Sequence, residues 1–148
     1  MYKFFGKRVL DIAISLWTLI IVSPLLAVIS IILLVHTRKS PFFFQTRVGY
    51  RGKLFRVFKF KTLTDARDSE GLLLPDDLRS FPLGTFLRRY SLDELPQLVN
   101  IIKGDMSIVG PRPWIPDQLD VFPGRCRMAR CSVRPGLTGM AQVYGRNG

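Results

Sequence analysis

A chain of 148 residues is long enough for one domain with a modest core. Hydrophobic residues make up 47% and the mean hydropathy is +0.18, yet 22% of residues are charged, so the apolar residues must be unevenly placed. The net charge of +11 suits an anionic partner (nucleic acid, a membrane face or phosphorylated substrates), while a single histidine, His36, leaves little material for His-based zinc or triad chemistry. Cys126 and Cys131 lack Cys-x-x-Cys spacing and a second pair, and read as reduced thiols without a functional role.

Ile12 to Val35 is a 24-residue run with no charged side chain. A straight helix of that length covers about 36 Å, enough to cross a bilayer core. A cleaved signal peptide is disfavoured: the run is too long, Asp11 sits at its start and no small-x-small site follows it. Ser23-Pro24 in the middle predicts a kink, because proline removes a backbone donor and crowds the preceding turn. The Ser23 hydroxyl can bond the freed carbonyl, which makes such a break tolerable in lipid. Lys3, Lys7 and Arg8 flank one end of the run, Arg38 and Lys39 the other, and basic flanks prefer the cytoplasm. A helix that dips into the membrane and returns satisfies both flanks. A kinked spanning helix accounts for the proline equally well, and the residues alone leave both open.

Ser40-Pro41 ends the helix. Phe42 to Arg47 and Lys53 to Lys61 are aromatic and β-branched, and Gly49-Tyr50-Arg51-Gly52 between them predicts a hairpin. Alternation along the second strand puts Lys59 and Lys61 on one face, as a solvated or headgroup-facing pair or as phosphate contacts. Thr64 to Asp77 is polar, contains Gly71 and Pro75, and reads as a loop. Leu83 to Tyr90 fits a short helix on which at most one of Arg88 and Arg89 faces a site.

Ser91-Leu92-Asp93-Glu94 has the form of a capping box. Leu92, Leu95, Leu98, Val99 and Ile102 then recur at helical spacing, and Lys103-Gly104 is a stop. Asp93 and Glu94 are therefore open to a structural reading, as cap and dipole partner, and to a chemical one. In the chemical reading, a helix start attracts phosphate and lowers the pKa of a carboxylate there. An ionised Asp can then attack phosphorus or ligate Mg²⁺, with arginines spreading the phosphoryl charge. Pro111-Arg112-Pro113 presets a guanidinium between two fixed φ angles, or is a surface turn with an incidental arginine. Gly136, Gly139 and Gly145 mark tight turns beside a short strand, bracketed by Arg134 and Arg146. Neither a Gly-x-x-x-x-Gly-Lys phosphate loop nor a Gly-x-Gly-x-x-Gly unit is present.

Taken in order, these strings resemble the small monotopic phosphoglycosyl transferases, the bacterial sugar transferase family. The resemblance rests on the basic start and apolar helix with Ser23-Pro24, on Lys59-Phe60-Lys61-Thr62, and on Ser91-Leu92-Asp93-Glu94-Leu95-Pro96-Gln97. It continues through Lys103-Gly104-Asp105-Met106-Ser107, Gly110-Pro111-Arg112-Pro113 and Arg134-Pro135-Gly136-x-Thr138-Gly139. It implies a re-entrant first helix broken at Ser23 and Pro24. It also implies an enzyme on the cytoplasmic face of the bacterial plasma membrane, which passes a phosphosugar from a UDP-sugar to undecaprenyl phosphate. Asp93 is implied as nucleophile and Mg²⁺ ligand, Glu94 as its catalytic partner, and Lys59, Arg88 and Arg112 as phosphate-binding groups. The bracketing residues Arg134 and Arg146 are further candidate nucleotide or phosphate contacts. Family members usually continue past the Gly-Arg-Asn string with a further segment.

The expected fold is mixed α/β and mostly helical. Residues 1–39 form the membrane helix, and 40–148 a cytoplasmic domain with a short hairpin and membrane-surface helices, lacking the family's C-terminal segment. Expected partners are the UDP-sugar, undecaprenyl phosphate and membrane lipids, with self-association left open. Nucleic acid is not expected, since charge alone explains neither the apolar run nor the carboxylate pair. A basic anchoring module without catalysis is the rival reading.

Overall fold

The structure is a computed structural model and describes residues 2–119 and 124–145. It is mixed α/β with more helix than strand and divides into two compact units. The first comprises Met1–Ser23, Phe44–Phe58 and Gln97–Gly148, the second Pro24–Phe43 and Lys59–Pro96.

Helix α1 spans Tyr2–Thr37 and contributes to both units. It is long and apolar enough to cross a membrane by length and composition. Although apolar all round, it buries only a narrow stripe. In the first unit Asp11 and Ser15 are buried and Leu19 and Val22 pack against Leu98, Ile101 and Met106. In the second, Leu26, Ile29 and Leu33 join Phe60, Phe81 and Leu87. Steps of three and four residues keep these positions on one side of a helix. Leu10, Ile14, Ile21, Val28 and Ile31 remain exposed, and Trp17 is 68% exposed.

The helical backbone runs on through Pro24, so Ser23 and Pro24 introduce one missing ladder bond rather than an interruption of the helix. Pro24 cannot donate to the Ile20 carbonyl one turn back. The Ser23 hydroxyl donates to that carbonyl instead, at 2.8 Å.

The hairpin forms where expected. Strands β1 (Phe42–Val48) and β2 (Leu54–Phe60) pair as a two-stranded sheet. A turn over Tyr50–Gly52 joins them, closed by the Gly49 amide on the Lys53 carbonyl at 2.8 Å. Arg51 and Gly52 there have φ of 55° and 75°. In the second unit, α2 (Asp76–Arg79) and α3 (Pro82–Arg89) follow the polar loop. Proline in the first turn of α3 costs nothing, because its missing N–H has no partner to lose there.

The capping box does not form. Ser91 takes φ of 56°, and Leu92–Gln97 is a 3₁₀ helix containing Pro96. The α-helix begins only afterwards, as α4 (Leu98–Lys103), and ends at Gly104 with φ of 103°. Pro96 lacks the N–H that an α-helix begun at Ser91 would need there.

In the first unit, β3 (Ser107–Val109) and β4 (Gly136–Thr138) form a parallel pair, with α5 (Gly124–Cys131) between them in sequence. The expected short strand is thus Gly136–Thr138 itself, and Met140–Tyr144 is a helix, α6. A Cβ on Gly136 would lie 2.1 Å from the Gly110 amide nitrogen, so the two backbones touch only because both positions lack side chains.

Asn100 was not singled out by any sequence pattern, yet it is fully buried. Its side chain donates to the Arg56 carbonyl at 2.7 Å and accepts from the Phe58 amide at 3.0 Å. It thereby completes the edge of β2 as another strand would. Asn100→Leu is expected to lower stability by about 2–4 kcal/mol, because two buried backbone groups lose their partners. Thermal denaturation in detergent checks this; a change below about 0.5 kcal/mol, the range of ordinary surface substitutions, would refute it.

Candidate active site

The carboxylate pair lies in the second unit, in the 3₁₀ helix after α3. Asp93 is buried, and the Glu94 carboxylate meets the Lys59 ammonium at 2.6 Å, both side chains being 20% exposed. Lys59 reaches it because β2 turns alternate residues to the same side. Lys61, past the strand end, pairs with Asp65, which Lys39 also reaches at 3.0 Å. These two ammonium groups hold Asp65 down to about 2. The facing lysines thus divide their work: Lys59 serves the carboxylate pair and Lys61 a surface cluster.

Arg88 is set by α3. Its Nε donates to the Thr62 hydroxyl at 3.1 Å, and one terminal nitrogen lies 3.5 Å from Asp76. Arg89 instead places its guanidinium 5.9 Å from the Tyr90 ring centre, so the two neighbours face different partners. Gly84 lets α3 approach: a Cβ there would sit 2.2 Å from the Thr62 carbonyl oxygen.

The expectation that a helix start lowers the pKa of Asp93 is overturned. Burial raises it above the ordinary value of 3.8, with Glu94 adding to the rise. The Lys59 ammonium, the Arg88 guanidinium and the residue's own backbone amide oppose that shift without cancelling it. Desolvation outweighs the dipole because the side chain is covered and the helix ahead of it is a short 3₁₀ segment, whose peptide dipoles are few. Desolvation raises the basicity of the Asp93 carboxylate and with it its strength as a nucleophile, while the Lys59 and Arg88 charges oppose that gain.

Arg112 and Arg134 belong to the first unit. Arg112 is exposed between Pro111 and Pro113, at the rim of a small cleft with Trp114 and Arg130. Arg134 is exposed and donates from Nε to the Gly104 carbonyl at 2.9 Å. Arg146 lies outside the described residues.

Among the described residues no group of three His, Cys, Asp or Glu side chains forms a metal cluster. Mg²⁺ does not require one, since it is held by one or two carboxylates together with substrate phosphates. Asp93 with Glu94 beside it fits that donor set, although Glu94 already holds Lys59.

The buried acid, its ion-paired neighbour and the arginine on α3 form a site suited to group transfer between phosphates. The sequence model of the family described as bacterial sugar transferase matches residues 2–148, and the chain belongs to that family. It is 42% identical to an uncharacterised sugar transferase of Bacillus subtilis, over 95% of this chain and 69% of the relative. It is 37% identical to an exopolysaccharide production protein of Sinorhizobium fredii, over 96% of this chain and 70% of the relative. A UDP-glucose:undecaprenyl-phosphate glucose-1-phosphate transferase of Klebsiella pneumoniae is 38% identical over 96% of this chain, which spans 31% of that longer protein. The enzyme class read from the motifs, phosphoglycosyl transferase, is the class of these named transferases.

Proposed function

We propose that the chain transfers a phosphosugar from a UDP-sugar to undecaprenyl phosphate through a covalent intermediate on Asp93. The observation that carries this reading is the buried Asp93 flanked by the Glu94–Lys59 pair and by Arg88. Relatives named as undecaprenyl-phosphate glucose phosphotransferases support the substrate pair.

In the first step an Asp93 carboxylate oxygen attacks the β-phosphorus. The bond from that phosphorus to the bridging oxygen breaks, and UMP leaves with the electron pair. Lys59, held by Glu94, and Arg88, held by Thr62, donate to the phosphoryl oxygens as charge spreads over them. In the second step a phosphate oxygen of the lipid attacks the phosphorus of the acyl phosphate, and Asp93 regains its carboxylate. One site serves both steps in turn, which gives ping-pong kinetics. Mg²⁺ bound by Asp93 and the substrate phosphates would offset phosphate charge. Arg112, and the further contacts assigned to Arg134 and Arg146, belong to the same reading as phosphate-binding groups.

On the same reading, α1 enters the plasma membrane from the cytoplasmic face, bends at Ser23-Pro24 where the ladder bond is missing, and returns, with residues 1–39 as the membrane segment and the remainder cytoplasmic. Its ends carry Lys7, Arg8, Arg38 and Lys39, and its buried stripe leaves the other faces apolar and exposed. A surface position suits an enzyme with one soluble and one lipid substrate.

Intact mass, measured after mixing the protein with Mg²⁺ and a panel of UDP-sugars without lipid acceptor, tests the chemistry. A phosphosugar adduct is expected with one sugar. Release of UMP without any adduct would exclude the covalent route.

A further inference from the structure

We infer that the first unit holds a binding site for the phosphate of a membrane phospholipid headgroup, gripped between Arg8 and Arg134. The site is a cleft of about 200 Å³ lined by Lys7, Arg8, Asp11, Tyr50, Ser107 and Arg134 among others. That volume accommodates a phosphate ester.

Its charge is unbalanced. Lys7 and Asp11 pair at 3.0 Å and both bond the Ser107 hydroxyl, so they largely neutralise each other. Two guanidinium groups remain, and they converge on the end of α4. Arg8 donates to the carbonyls of Met106 at 3.3 Å and Ile102 at 3.2 Å, while Arg134 donates to Gly104 at 2.9 Å. The Arg8 guanidinium also lies 3.4 Å from where a Gly104 Cβ would be. Those carbonyls and the Asp11 and Asp105 carboxylates supply negative charge, but burial and then repulsion from Arg134 outweigh it and hold Arg8 below its ordinary value. A guanidinium has more N–H donors than these bonds use, and paired guanidiniums suit phosphate oxygens.

The surroundings favour a lipid over a nucleotide. Ile14 and Ile21, seven and fourteen residues beyond the cleft residue Lys7 and so on its side of α1, are exposed, and a ligand with an anionic head and apolar tails satisfies both features. The cleft offers a nucleotide base no open aromatic face to stack on. Tyr50, the aromatic ring at the cleft, already carries Arg51 at 5.0 Å and Arg134 at 5.5 Å from its centre. This inference rests on the membrane part of the proposed function, replaces the nucleotide or phosphate contact given there to Arg134, and shares no residue with the Asp93 cluster.

Native mass spectrometry of the whole chain in neutral detergent tests it, with phosphatidylglycerol, diacylglycerol and UMP as separate probes. One phosphatidylglycerol per chain is expected to bind saturably, with little retention of diacylglycerol or UMP. Arg134→Gln should weaken retention about tenfold, and Arg134→Lys less, since charge-assisted bonds to phosphate are lost in the first and partly kept in the second. Arg134 is exposed, so an unchanged melting temperature separates this loss from misfolding. Equal phosphatidylglycerol retention by wild type and Arg134→Gln would overturn the site. Diacylglycerol binding as well as phosphatidylglycerol would reduce it to an apolar contact, and UMP binding in place of lipid would make it a nucleotide site; either result overturns it. Flotation of the wild type with neutral vesicles checks the membrane reading separately, and failure to float would overturn both.

Discussion

Asp93→Asn is expected to abolish turnover and adduct formation, by about 10⁴-fold or more, while making the protein more stable. The first effect follows from removing the proposed nucleophile, since an amide oxygen is a poor attacker of phosphorus. The second follows from burial. A carboxylate whose folded pKa is raised holds its proton more tightly in the native state than in the unfolded chain. Stability therefore falls as pH rises from the ordinary value of 3.8 through the folded pKa, and the full penalty persists above it. Asparagine carries no charge to desolvate, so the variant escapes that penalty at neutral pH. A rise in melting temperature at pH 7 is therefore expected. The gain should shrink as pH falls below the folded pKa, where the wild-type acid is protonated as well. A lower melting temperature for Asp93→Asn at pH 7 would show that attraction to Lys59 and Arg88, not desolvation, governs the site.

Gly84→Ala is expected to cost about 1–3 kcal/mol or more, and to impair phosphosugar transfer beyond what lost stability explains. The new Cβ would meet the carbonyl oxygen of Thr62 at 2.2 Å, its carbonyl carbon at 2.9 Å and its Cα at 3.1 Å. All three are backbone atoms, so relief requires α3 to move away from the end of β2. Arg88 rides on α3 and bonds the Thr62 hydroxyl at 3.1 Å, so the same movement displaces the guanidinium from its support. Melting temperature and the rate of adduct formation, measured on folded protein, separate the two effects. Gly6→Ala provides the control. Gly6 is also helical but has nothing within 4 Å of a new Cβ, so alanine there should add about 0.5–1 kcal/mol of stability. Similar behaviour of the two variants would mean that helix propensity, not contact with Thr62, decides the outcome at Gly84.

Much of the chain's organisation was legible in its residues. The hairpin followed from two aromatic strands around Gly49–Gly52, and Leu83–Tyr90 was read as the short helix that carries Arg88 and Arg89. The end of α4 followed from Gly104. These features depend on neighbours a few positions apart, where backbone preference and side-chain period act directly. The partner of Ser23 was legible for the same reason, because Ile20 lies within one helical turn. The capping box failed locally too: Pro96 outweighed the Ser-x-x-Glu pattern and left a 3₁₀ segment.

Long-range contacts were not legible. Periodicity could not say which stripe of an apolar helix would be covered, although Asp11 and Ser15, four apart, were a faint polar mark of it. Nothing local indicated that Asn100 would serve as the neighbour of β2, or that Gly84 and Gly136 were needed for backbone contact with distant segments. The sequence by itself determined the long apolar helix, the hairpin, the family and the positions of the acids and cations. Tertiary structure alone decided which cation meets which acid, pairing Lys59 with Glu94 and Lys61 with Asp65. It also decided the direction of the Asp93 pKa. A pKa depends on how much water is excluded and how near the opposing charges lie, and both are set by segments far apart in the chain.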